Sequence, residues 1–230
     1  MRTHQVVSAW LEQELAAGRL HIGSRLPGER TMAERLGISR ASVREGTRVL
    51  EALGVVRAGV GSGPQAGTVI TGNPSLALDS ALRLHVASAH LRVKDIVETR
   101  LLLETWAAAH ASPGSPSLER AARLLDEMDR CDDGPAGFLQ RDALFHVALA
   151  EAAGNVLVGA MMGSLRGSIE DYTQRLTARL PEWGATSQRL RREHRAILDA
   201  VLEGRGEHAA ELVQDHIEGF YRESGIHSEG

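Results

Sequence analysis

The sequence predicts a mainly α protein in two parts. Residues 1–72 read as a winged helix-turn-helix of three helices plus a β-hairpin wing, and residues 73–230 as an all-α antiparallel bundle of six to seven helices. Three observations carry this. The head runs helix, helix, short turn, helix, hairpin. The body shows no strand-like alternation, and breakers divide it at short intervals. The charge is also split: residues 1–72 hold nine Arg against six Glu, whereas residues 73–230 hold 17 basic against 24 acidic groups.

Each element has its own signal. Val6, Val7, Trp10, Leu11 and Leu15 recur at helical spacing, giving a helix over 4–17 that Gly18 stops. Gly23 to Gly28 is a turn cluster, and a short helix follows over 29–36 with Glu29 in its first turn. Gly37-Ile38-Ser39 is a tight turn, with Ser39 as N-cap of a helix over 40–53. Val55-Val56 and Thr68-Val69-Ile70 flank a Gly-rich loop and read as a hairpin. Thr71 to Pro74 is a linker. Helices are expected over 75–90, 93–111, 117–130, 136–153, 155–180, 186–203 and 207–223. Pro113 to Pro116, Asp132 to Pro135, Gly154, Pro181 to Gly184 and Gly204 to Gly206 separate the last six.

Composition excludes several classes. Hydrophobic residues make up 43% and charged residues 24% of the 230, enough apolar material for a sizeable core. No apolar run reaches the roughly 18 residues of a membrane span, and the N-terminus has no apolar signal core. The single cysteine, Cys131, allows no intrachain disulfide, so a reducing cytoplasm is expected. Aromatics are 3%, too few for stacking platforms that bind single-stranded nucleic acid.

On the 40–53 helix, Arg40, Arg44 and Arg48 lie at i, i+4 and i+8, a stripe about 80° wide. Val43, Val49, Leu50 and Leu53 are expected on the opposite side. Guanidinium suits a DNA face because it binds phosphate or a guanine edge in bidentate fashion. Ser39 and Ser42 add short hydroxyls at the helix start, where recognition helices meet bases. Three arginines on one helix also describe an ordinary solvated face; the helix pair in front and the hairpin behind decide for DNA.

Leu26-Pro27-Gly28-Glu29-Arg30, Leu36-Gly37-Ile38-Ser39-Arg40, Val43-Arg44-Glu45 and Leu50 to Val56 resemble the GntR family of bacterial repressors over residues 10–71. The resemblance implies Arg30, Arg40 and Arg44 as main DNA contacts, with a wing from Arg57 through Gly59 to Gly63 reaching the minor groove. Three positions depart from the family pattern. Gly28 replaces the usual Ser, and Gly46 the usual Ala, which costs a helix about 0.5–1 kcal/mol. The loop from Gly59 to Gly67 is longer than usual.

Of ten histidines, three stand out beside one aspartate. Asp142 and His146 are at i, i+4 on one helix face. His194 and His216 have their midpoint at residue 205. If Gly204 to Gly206 turns an antiparallel hairpin, each lies about 15 Å from the turn at equal height. Three imidazoles and one carboxylate suit a divalent transition metal: zinc first, with nickel, manganese, iron and cobalt also compatible.

The pattern Asp-x3-His, then Glu193-His194-Arg195, then His216, with Val97 to Glu104 and Gly154-Asn155, resembles the FCD effector domain of the FadR subfamily over residues 76–222. The resemblance implies Asp142, His146, His194 and His216 as metal ligands and Arg100 as a partner for an acidic effector. On spacing alone, Arg100 could instead pair with Glu104. The expectation is a metabolite-responsive repressor rather than an enzyme: a homodimer on a palindromic double-stranded operator, with no membrane association, modulated by a small carboxylate. The alternatives are a direct metal sensor, a purely structural metal, or a metal-dependent hydrolase with Glu151 or Glu193 as base.

Overall fold

A computed structural model describes residues 3–59, 67–72, 92–130 and 133–225, with Leu78, Ala81, Leu84 and His85 between them. The chain divides into two compact units, Met1–Leu78 and Asp79–Gly230.

The first unit contains α1 (Thr3–Ala16), α2 (Glu29–Leu36), α3 (Arg40–Ala52), β1 (Val56–Gly59) and β2 (Gly67–Ile70). Gly37 ends α2 at φ +64°, where its N–H reaches the Ala33 carbonyl. This left-handed residue makes the sharp helix-to-helix turn that a side chain would disfavour. Ser39 then caps α3 by accepting the Ser42 N–H. The strands pair antiparallel, Val56 with Ile70 through Gly59 with Gly67. Arg25 bridges the other edge of β2, so the segment before α2 is stitched to the wing. The Glu51 carboxylate accepts the Ala58 N–H at 2.9 Å, fastening the wing to α3. Of the long wing loop, Gly59 and Gly67 are described and residues 60–66 lie outside the described residues.

The core of this unit joins Val7 and Leu11 to Met32, Val43, Leu50, Val56 and Ile70. Leu53, expected on the buried face of α3, is instead 51% exposed just beyond the helix end. Gly46 takes a place on that face. A Cβ there would stand 2.6 Å from Val7 Cγ2 and 2.7 Å from Val7 Cβ. The glycine is therefore what allows α1 to lie close against α3, and its weak helix propensity is offset by the packing of Val7.

The second unit holds α4 (Val93–His110), α5 (Pro116–Arg130), α6 (Gly134–Ala152), α7 (Val156–Thr177), α8 (Trp183–Leu202) and α9 (Gly206–Glu223). The four described positions of the helix expected over 75–90 are helical, and the rest of it lies outside the described residues, as does Cys131. Helix α7 ends before the expected 180 and α8 begins before the expected 186. Gly184, read as a breaker, sits in the first turn of α8. First-turn N–H groups have no intrahelical acceptor, so a glycine there is tolerated. Helices α4, α6, α8 and α9 surround a continuous apolar core that includes Phe145, Leu190, Ile197 and Ile217. The α8–α9 turn uses two glycines differently. Gly204 sits at φ +71°, whereas a Cβ on Gly206 would meet the Ala109 carbonyl oxygen at 2.3 Å. No helix among the described residues is long and apolar enough to cross a membrane.

The packing at Gly46 gives a direct test. Gly46→Ala gains helix propensity of about 0.5–1 kcal/mol but overpacks a β-branched neighbour, an effect of about 1–3 kcal/mol. The variant should unfold more easily than wild type, and adding Val7→Ala should remove the overpacking penalty. Urea denaturation of the single and double variants reads this. A more stable Gly46→Ala would contradict the packing account.

Candidate metal centre and nucleic-acid face

On α3, Arg40, Arg44 and Arg48 are exposed, as are Arg30 on α2 and Arg57 on β1. Glu29 organises part of this face. Its carboxylate accepts both Nε and Nη2 of Arg44 at 3.2 Å, and Arg40 Nη2 lies 3.8 Å away. Such exposed pairs contribute little stability. Their effect is to splay two guanidiniums side by side over the start of α3. The Ser39 and Ser42 hydroxyls lie 2.9 Å apart, so both are engaged at the cap. Gly59, at the end of β1, is half-buried.

In the second unit, Asp142 and His146 come from α6, His194 from α8 and His216 from α9. The four side chains are buried, and one donor atom of each lies within 4.8 Å of the others. His146 Nε2 and His216 Nε2 face each other at 3.2 Å, and His194 Nε2 is 3.0 Å from Asp142 Oδ1. The hairpin at Gly204 brings His194 and His216 level, with ring centroids 4.5 Å apart. Phe145 walls one side, 4.8 Å from the His194 ring.

Burial and mutual contact set the protonation of this cluster. Burial pushes the Asp142 carboxyl up, but His194, His146 and Arg100 outweigh it and hold it well below the usual carboxylate range. Burial also raises Glu104, yet Arg100 and His146 bring it down to about 2. Burial lowers His194, against the pull of Asp142. Burial, aided by the charge of His194, takes His216 down to about 3 although Glu193 opposes it. At neutral pH the cluster thus presents an anionic carboxylate and neutral His194 and His216, the states a divalent cation requires of its ligands. Neither nitrogen of His194 has an aligned hydrogen-bond partner among the described residues. Buried polar atoms without partners are disfavoured, and a cation among these four donors would satisfy Nε2 of His194, the nitrogen that faces Asp142.

Two glutamates lie behind the imidazoles: Glu104, read from the sequence only as a partner for Arg100, and Glu193, read only as a possible base. Glu104 Oε2 is 2.5 Å from His146 Nδ1, and Glu193 Oε2 is 2.8 Å from His216 Nδ1. Glu104 is four residues past Arg100, and the two pair through Nε and Oε1 at 2.5 Å. The i, i+4 pairing considered for Arg100 is therefore present. Its Nη2 has no hydrogen-bond partner among the described residues. Arg100 also lines a small cavity with Asp142, Thr173 and His216. That cavity measures about 10 Å³, room for roughly one water. A carboxylate entering beside Arg100 has to part the side chains around it.

The hydrolase alternative fails on the same geometry. Glu193 presents Oε2 to the outer nitrogen of His216 and Oε1 to Arg189 at 2.6 Å, away from the four donors. Glu151 pairs with Arg120 and Ser117 on α5. Neither is placed to activate a water at the centre.

Known proteins similar to this chain agree. Residues 3–65 match the model of bacterial regulatory proteins, gntR family, and residues 95–219 match the FCD domain. The chain is a GntR-family transcription regulator with an FCD domain. This regulator is 32% identical to the HTH-type transcriptional regulator LutR of Bacillus subtilis over 219 residues, 90% of this chain and 97% of that one. It is 30% identical over 203 residues to the putative L-lactate dehydrogenase operon regulatory protein of Escherichia coli K12, covering 86% of this chain and 77% of that one. Its fold matches that of Streptococcus agalactiae GntR with a TM-score of 0.69 at 24% identity, over 96% and 99% of the two chains. The regulator thus carries a DNA-binding head and an effector domain, and its family is not enzymatic.

The buried cluster makes stability depend on acid. An unfolded histidine takes its proton near 6.5, whereas folded His216 resists until about 3, so the unfolded chain binds more protons between these values. Glu104 keeps its charge down to about 2 when folded but is protonated near 4.5 when unfolded. Both contributions are present at pH 7. That of His216 is lost as pH falls from 6.5 toward 3, and that of Glu104 from 4.5 toward 2. Denaturation of chelator-treated protein should show a midpoint that drops between about pH 7 and pH 5 and again below it. A midpoint independent of pH across this range would contradict the burial assigned to these groups.

Proposed function

We propose that this regulator is a metabolite-responsive repressor, acting in the cytoplasm as a homodimer on a palindromic operator in double-stranded DNA. The head, residues 1–72, reads the operator. The helical body, residues 73–230, holds a divalent transition metal through Asp142, His146, His194 and His216, and takes a small organic acid beside Arg100. The observation that carries the reading is the set of four buried donors within 4.8 Å of one another inside the helical body.

Physical chemistry supports each part. Three imidazoles and a carboxylate leave coordination positions that acid oxygens can fill, and zinc, nickel, manganese, iron and cobalt all accept such a set. The Nη2 of Arg100, without a hydrogen-bond partner among the described residues, is a counter-charge for the acid. A cavity with room for roughly one water favours a short acid, and the name of the E. coli relative directs attention to 2-hydroxy acids of the lactate type. Entry of the acid must move lining side chains, which gives it different affinities for two arrangements of the body, the requirement for a switch. On the head, Arg30, Arg40, Arg44, Arg48 and Arg57 contact DNA, Ser39 and Ser42 meet it at the start of α3, and Gly59 leads into the wing. One head with net charge +3 makes few phosphate contacts, so two heads are needed for a tight complex.

Operator binding with and without short 2-hydroxy acids tests this. In zinc-loaded protein the acid should change operator affinity 5- to 150-fold, matching a coupling of about 1–3 kcal/mol. Arg44→Ala should weaken specific binding by about 1–3 kcal/mol whether acid is present or not. Operator affinity unmoved by every short acid, or unchanged in Arg44→Ala, would contradict the reading.

A further inference from the structure

The two glutamates behind the imidazoles form a repeated arrangement. On α4, Arg100 holds Glu104 one turn further on, and Glu104 meets Nδ1 of His146 on α6. On α8, Arg189 holds Glu193 one turn further on, and Glu193 meets Nδ1 of His216 on α9. Each is an arginine, a glutamate four residues later, and the outer nitrogen of a histidine on a neighbouring helix. In both, the opposite nitrogen, Nε2, faces the centre, and the two Nε2 atoms stand 3.2 Å apart.

We propose that Glu104 and Glu193 are positioning residues of the metal centre: each accepts the Nδ1–H of one histidine, leaving Nε2 of His146 and of His216 as the donor toward the ion. This rests on the metal reading above. An imidazole bound through one nitrogen must carry its proton on the other, and a carboxylate behind it fixes that tautomer, orients the ring and strengthens the donor. The arginines keep the glutamates from turning away. Arg189 is held in turn by Glu223, whose other oxygen takes the Thr186 hydroxyl.

The two arms differ. The Arg100–Glu104 arm is buried throughout, and its contact to His146 is bent rather than aligned. The Arg189–Glu193 arm reaches the surface, with both side chains close to 30% exposed, and its bond to His216 is well aligned. His194 has no such support: its Nδ1 is without a partner among the described residues. It is oriented by ring contacts with Phe145 and Phe138 and by Asp142.

The exposed arm is the one to test, because Glu104→Ala would strand the buried Arg100 and could simply unfold the body. The experiment titrates full-length, chelator-stripped protein with zinc against a chromophoric competitor, for wild type, His146→Ala, Glu193→Ala, Glu193→Gln and Glu104→Gln. Long-range nitrogen–proton NMR on the same metal-free samples reads the tautomers. Glu193→Ala should weaken zinc binding 10- to 100-fold. It should also shift His216 from the Nδ1–H toward the Nε2–H tautomer, while the tautomer of His146 stays as in wild type. Glu193→Gln and Glu104→Gln keep an acceptor and should recover most of the affinity. A merely structural glutamate would leave the tautomer unmoved. Wild-type zinc affinity in Glu193→Ala, or an unchanged His216 tautomer, overturns the proposal while the metal reading stands. No zinc binding by wild type, or undiminished binding by His146→Ala, overturns the metal reading and the proposal with it.

Discussion

The structure of the helical body depends on one constraint: a carboxylate and three imidazoles are packed into an apolar core. Burying polar groups without partners is unfavourable, and the surrounding helices place carboxylates beside His146 and His216 while His194 has no aligned partner among the described residues. Helices α6, α8 and α9 supply the donors, and α4 supplies Glu104 and Arg100 behind them. The tight turn at Gly204 and the close approach of Gly206 to Ala109 set the level at which His216 meets His194. A cation at this point would join three helices through one centre. Any ligand that alters its coordination would therefore act on all three at once.

The head solves a different problem. Its recognition helix must bury one side and leave arginines free on the other. Val7 from α1 fills the space that Gly46 leaves, so α3 is seated by shape rather than by an added large side chain. Glu29 then gathers Arg44 and Arg40 without neutralising the face, because all three remain at least partly exposed. The link from Glu51 to Ala58 sets the wing against the same helix, so α3 and the wing share one support.

Much of this was legible in the sequence. The helix order followed from apolar spacing and from breakers such as Gly37 and Gly204. The meeting of His194 with His216 followed from their equal distance to one turn. Three features were not legible. Gly46 read as a weak point because its partner, Val7, is distant in sequence. Leu53 read as buried because its spacing fits α3, but the helix ends before it. Glu104 and Glu193 were read for other roles, as a partner of Arg100 and as a possible base, because each touches a histidine on another helix, and only the crossing of the helices brings them together. Glu193 stood beside His194 in the sequence, yet it serves His216. Arg100 was ambiguous for a physical reason: its guanidinium holds Glu104 with Nε, while its Nη2 has no hydrogen-bond partner among the described residues.

The central claim is that the buried cluster is a metal centre. Elemental mass spectrometry of purified protein, wild type beside His146→Ala, tests it most directly. The account predicts about one divalent transition-metal ion per chain in the wild type, and its loss in the variant. A wild type that holds no metal even after reloading would contradict it, and so would a variant that keeps the full complement.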